Sequence, residues 1–77
     1  MVSVDTVLTW SRKEALDEIA RLRKDPPKIW GHELFMRELR VPWYLHRGKI
    51  DMAHQLGAIS DQEHGALVRE WTDLYPF

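Results

Sequence analysis

Seventy-seven residues, 44% of them hydrophobic, with four tryptophans and no cysteine, make one small domain close to the size at which a single core only just outweighs chain entropy. The missing cysteines exclude disulfide staples, thiolate zinc sites and a cysteine nucleophile, and no apolar run approaches the length of a membrane span. The net charge of −1 supplies no general attraction to nucleic acid or membrane, but between Arg21 and Lys49 eight basic residues face Asp25, Glu33 and Glu38, while both flanks of that segment are acidic.

Met-Val-Ser-Val-Asp at the start lacks the basic segment and apolar stretch of a signal peptide, so a cytoplasmic location is expected. Val2, Val4, Thr6 and Leu8 alternate with Ser3, Asp5 and Val7, a strand-favouring pattern. With no later segment that reads as a pairing strand, residues 1–10 are expected to be a loose arm, an extra helical turn, or an edge that pairs with another chain. Ser11-Arg12-Lys13-Glu14 has the form of a capping box, which predicts a helix start with Ser11 as N-cap and Trp10 stapled onto Ala15. Asp25-Pro26-Pro27 ends that helix, because proline disfavours helical geometry in the residue before it and has no amide hydrogen.

Trp30, Leu34, Phe35 and Leu39 recur at helical spacing and predict a second helix over residues 29–40. Val41-Pro42 then punctuates the chain, and Pro42 suits the first position of a third helix running to about Leu56, with Arg47-Gly48-Lys49 as a weak point. Gly57 stands where a helix C-cap is expected, and Ser60-Asp61-Gln62-Glu63 is a second capping box. A last helix carries Leu67, Val68, Trp71 and Leu74 on one stripe. The expectation is an all-α domain spanning 1–77, a bundle of three to four short helices. Its expected core is Leu16, Ile19, Leu34, Phe35, Leu39, Ile50, Leu56, Leu67, Val68 and Trp71.

Chemistry-bearing residues are sparse. His32, His46, His54 and His64 do not form the helical His-x-x-x-His zinc pattern, although Asp51, His54 and His64 could meet across a helical hairpin. Surface or boundary histidines, no metal and no cofactor are the expectation. Ser11 and Ser60 look committed to capping, no glycine-rich phosphate loop is present, and a chain this short offers little room for a deep pocket, so no catalytic residue is expected. Ala53, Leu56 and Gly57 fall at the spacing of a helix-turn-helix, but the would-be reading helix opens with Asp61-Gln62-Glu63, which repels phosphates.

Residues 50–71, centred on Leu56-Gly57-Ala58-Ile59-Ser60-Asp61-Gln62-Glu63, resemble the short helical hairpin of SHOCT-type domains: a Leu, then Gly-x-Ile-Thr/Ser, then an acidic run. His64 departs from that pattern, which has an aromatic residue there. The resemblance implies a role in oligomerisation or protein contact and carries no catalytic residue.

Adjacent Trp43 and Tyr44 cannot both face one core, so one of them is expected outside, close in sequence to Arg37, Arg40 and Arg47. Aromatics and arginine are the side chains most enriched at interface hot spots. Trp43, Tyr44, Arg37, Arg40 and Arg47 are therefore the expected partner-binding residues. The reading is a non-catalytic adaptor, regulator or inhibitor of another protein, of a kind that a phage or mobile element encodes against a host protein. A second copy of the chain is a further candidate partner, no membrane is expected, and the alternative is a nucleic-acid-binding regulator using residues 21–49.

Overall fold

The computed structural model describes residues 3–75 and Phe77. It is all-helical: α1 spans Val4–Lys24, α2 His32–Gln55 and α3 Asp61–Asp73. α1 and α3 begin at serine side chains that satisfy a free amide, α2 begins at Gly31 without a side-chain cap, and the first helix begins earlier than expected. Ser3 accepts a hydrogen bond from the Thr6 amide at 3.2 Å and is the N-cap of α1. Residues 4–10 are therefore helix, not an arm or a strand; Val2 lies outside the described residues. Residue Ser11 sits inside α1 and is buried, so its box with Glu14 caps nothing. The reason is the stripe Leu8, Ser11, Ala15, Ile19, Leu22, which has helical spacing and buries one continuous face. That packing overrides the strand preference of the β-branched residues at its start. Trp10, off the stripe, is 57% exposed and staples nothing.

The two helices expected on either side of Val41-Pro42 are one. Pro42 removes an amide donor inside α2, a loss on the order of 3 kcal/mol. Against it stands the unbroken stripe Leu39, Trp43, His46, Ile50, Ala53, all buried. Each large apolar side chain so buried contributes roughly 1.5–3 kcal/mol, so continuity wins. Leu16 and Leu56, expected in the core, are exposed, Leu56 at 75%; Leu56 is the C-cap of α2 and lies past the last buried turn. Leu34, Phe35, Leu67 and Val68 are half-buried.

The turn from α2 to α3 follows the expected chemistry. The Ala58 amide donates to the Ala53 carbonyl at 2.9 Å and the Gly57 amide to the His54 carbonyl at 3.0 Å. Gly57 has φ +73°. This is a Schellman closure, which needs a left-handed residue after the cap. Ser60 and Glu63 complete a reciprocal capping box. Both α1 and α3 pack on α2, and α3 is joined to α1 across the molecule by the Arg12–Glu70 ion pair. Trp71 anchors α3: its ring stacks on Trp43 at 3.9 Å and its Nε1 donates to the Trp43 carbonyl at 3.1 Å. Among the described residues no helix is long and apolar enough to cross a membrane.

Candidate functional site

Of the five expected contact residues, the structure gathers four on one flank of α2. Arg37, Arg40, Tyr44 and Arg47 follow one another at intervals of three, four and three, the spacing of a single helix stripe. Trp43, about 100° round the helix from Tyr44, turns the other way and is 5% exposed, stacked on Trp71 and edged by Tyr75 at 5.3 Å. Tyr44 is 59% exposed. Which of the two aromatics lay outside depends on where Trp71 falls, and Trp71 belongs to another helix.

The arginines differ in freedom. Arg37 stands 75% exposed with its Nε 4.0 Å from the Glu38 carboxylate, too far for a hydrogen bond. Arg40 is half-buried, its guanidinium 5.9 Å from the centre of the Phe77 ring and its Nε buried with no hydrogen-bond partner among the described residues. The Nε of Arg47 donates to Asp51 at 3.3 Å, one turn further along α2.

Asp51 belongs to a second cluster. Asp51-x-x-His54 on α2 and Asp61-x-x-His64 on α3 repeat one pattern on two antiparallel helices, and their bonds cross. The Nε2 of His64 pairs with Asp51 at 2.7 Å, the Nε2 of His54 with Asp61, and the two imidazoles stack at 4.2 Å. The bond from His64 holds the Asp51 carboxyl below its usual range, helped by Arg47, and the bond from His54 does the same for Asp61. The four side chains tie the hairpin together. Among the described residues no three His, Asp or Glu side chains are placed to hold a metal ion.

A third grouping escaped the sequence reading. Ser11 Oγ and His46 Nδ1 share a hydrogen bond of 2.7 Å between α1 and α2, both residues buried. The His46 ring meets Trp71 edge-on at 4.5 Å. Burial first, then the charges of Arg12 and Lys49, lower the His46 pKa to about 4, so the ring is neutral at pH 7. A base of that strength is poorly matched to activating a hydroxyl near neutral pH, and among the described residues the hydrogen bond to the ring comes from Ser11 and not from a carboxylate. The signal was available: each stripe, Leu8 to Leu22 and Leu39 to Ala53, is interrupted by one polar residue, and the two interruptions face each other.

Comparison with known proteins finds no matching family model, no matching curated protein and no matching solved structure.

Proposed function

We propose that this chain works by binding another protein, as a small non-catalytic adaptor, regulator or inhibitor, and that the Arg37–Arg40–Tyr44–Arg47 flank of α2 is a contact surface. The observation that carries the reading is the exposed Tyr44 in register with three guanidinium groups. Tyrosine offers a large amphipathic face at low entropic cost and arginine pairs with carboxylates or stacks on rings. A wider imbalance supports it: among the described residues eleven large hydrophobic side chains are exposed against ten buried hydrophobic residues, which leaves apolar surface for a partner to cover. The hairpin resemblance noted above, with its implied role in protein contact, points the same way.

Capture from native lysate with the wild-type chain and a Tyr44→Ala/Arg47→Glu variant, each with and without nuclease, tests this. The supporting result is a protein retained despite nuclease and lost with the variant. Retention that depends on nucleic acid and falls steeply with salt would instead favour the basic 21–49 segment as a phosphate-binding surface, and a partner that survives the substitutions would place the interface elsewhere.

A further inference from the structure

Phe77 gathers cations from two helices. The centre of its ring lies 5.3 Å from the guanidinium of Arg23, in the last turn of α1, and 5.9 Å from that of Arg40 on α2. Both distances are within reach of the ring quadrupole. Two aromatics stand nearly perpendicular to the same ring, Tyr75 at 5.2 Å and 70° and Trp43 at 6.3 Å and 88°, the T-shaped arrangement that aromatic pairs favour. Residues of α1, α2 and the segment after α3 thus frame a place for one aromatic ring, and Phe77 fills it while staying half-buried.

The fit is incomplete at Arg40. A guanidinium carries five N–H donors, and a phenyl ring meets it through its π face without supplying a carboxylate. The Nε of Arg40 is buried and has no hydrogen-bond partner among the described residues. An occupant that brings a carboxylate beside its ring matches Arg40 better than Phe77 does, because charge-assisted bonds to a guanidinium are stronger than a ring contact alone. Arg40 is also a member of the arginine flank, so such an exchange takes place on the surface already assigned to a partner.

We infer that Phe77 is a built-in occupant of a partner-binding site: an aromatic residue of the partner protein, flanked by Asp or Glu, displaces Phe77 and sets its ring against Arg23, Trp43 and Tyr75 with its carboxylate on Arg40. The inference deepens the function proposed above and rests on it, since it names the chemistry that the flank receives. What occupies the position in the free chain is a phenyl ring, which favours a side chain of that size over a nucleobase. Phe77 acts as an intramolecular competitor. The apparent affinity for the partner is then reduced by the fraction of molecules in which the position stands open.

The probe is the peptide acetyl-Glu-Phe-Glu-amide, compared with one carrying Leu for Phe and one carrying Lys for both Glu. Binding to the full chain is followed by shift mapping of the backbone amide, arginine Nε–H and indole N–H signals. Phe77→Ala is expected to bind the first peptide at least about tenfold more tightly than the wild type does, with the largest shifts at Arg23, Arg40 and Trp43. The same variant should bind each control peptide at least about tenfold more weakly than the first. Phe77→Leu keeps apolar bulk at the position and loses the ring, which guards against misfolding of the alanine variant, and its affinity should fall between wild type and Phe77→Ala. Tyr44→Ala/Arg47→Glu should leave peptide binding unchanged, which separates failure here from failure of the Tyr44 surface. Equal binding to wild type and Phe77→Ala, equal binding of the leucine peptide, shifts outside this position, tighter binding of a thymidine oligonucleotide, or no binding would each overturn the inference.

Discussion

Ser11 and His46 are the single polar residues in two otherwise apolar stripes, and they meet each other across the α1–α2 seam at 2.7 Å. Each is satisfied because the other is there. Register between the two helices is therefore set by a bond as well as by apolar packing, since sliding α2 by one turn would leave two polar groups buried without partners.

Removing one partner should cost more than removing both. Ser11→Ala strands a buried ring nitrogen, a penalty of about 1–3 kcal/mol. In His46→Leu the serine hydroxyl can fall back on the carbonyl one turn earlier in its own helix. The double variant should be more stable than the sum of the singles predicts, by on the order of 1 kcal/mol. Urea unfolding of the four proteins measures this, and additive effects would show that the two side chains do not communicate.

The same pair makes stability depend on pH. His46 is depressed to about 4 in the folded chain from 6.5, so above pH 6.5 it is neutral in both states and contributes no slope. As pH falls from 6.5 towards 4 the unfolded chain takes up a proton that the native one refuses, and stability drops by up to about 3 kcal/mol. Below about pH 3.8 the paired Asp51 and Asp61, both lowered from that value, add a further loss. Melting curves between pH 4 and 8 should show the first decline in wild type and lose it in His46→Leu.

Two glycines should respond oppositely to alanine. Gly57 occupies the left-handed region, where a side chain costs roughly 1–2 kcal/mol, so Gly57→Ala destabilises. Gly65 lies inside α3 with open space where a Cβ would go, so Gly65→Ala should stabilise by up to about 1 kcal/mol. Thermal denaturation of the two variants settles the sign at each position.

Local signals failed where a longer pattern competed with them. Ser11-Arg12-Lys13-Glu14 is the same four letters whether or not a helix already runs through it, and only the spacing back to Leu8 distinguishes the cases. Val41-Pro42 likewise reads as a break until Leu39, Trp43, His46 and Ile50 are taken as one stripe. Ser60, Gly57 and the Asp25-Pro26-Pro27 stop were legible because nothing periodic crosses them. At the candidate site, Arg37, Arg40, Tyr44 and Arg47 were grouped by closeness in sequence and only the continuity of α2 sets them on one stripe, while the inward turn of Trp43 depends on a residue 28 positions away.

Trp71 should be the least replaceable side chain of α3. Truncation to Ala removes a 2% exposed indole and its stacking on Trp43, at about 3–5 kcal/mol, comparable with the whole stability of so small a domain. Trp71→Phe keeps a ring but loses the donor to the Trp43 carbonyl, and should fold with a lower melting temperature. The coupled indoles should also give a paired-sign feature in near-ultraviolet circular dichroism that Trp71→Phe abolishes; its persistence would assign it elsewhere.

Because α1 and α3 both pack on α2 and are joined to each other by an exposed ion pair, the one core the three helices share has α2 at its centre and a seam on either side of it. Opening one seam does not require opening the other, so unfolding has an intermediate rung: α3 lifted away while α1 and α2 stay zipped. In native-state hydrogen exchange this appears as two plateaus, with α3 amides released at a smaller free energy than those at the centre of α2.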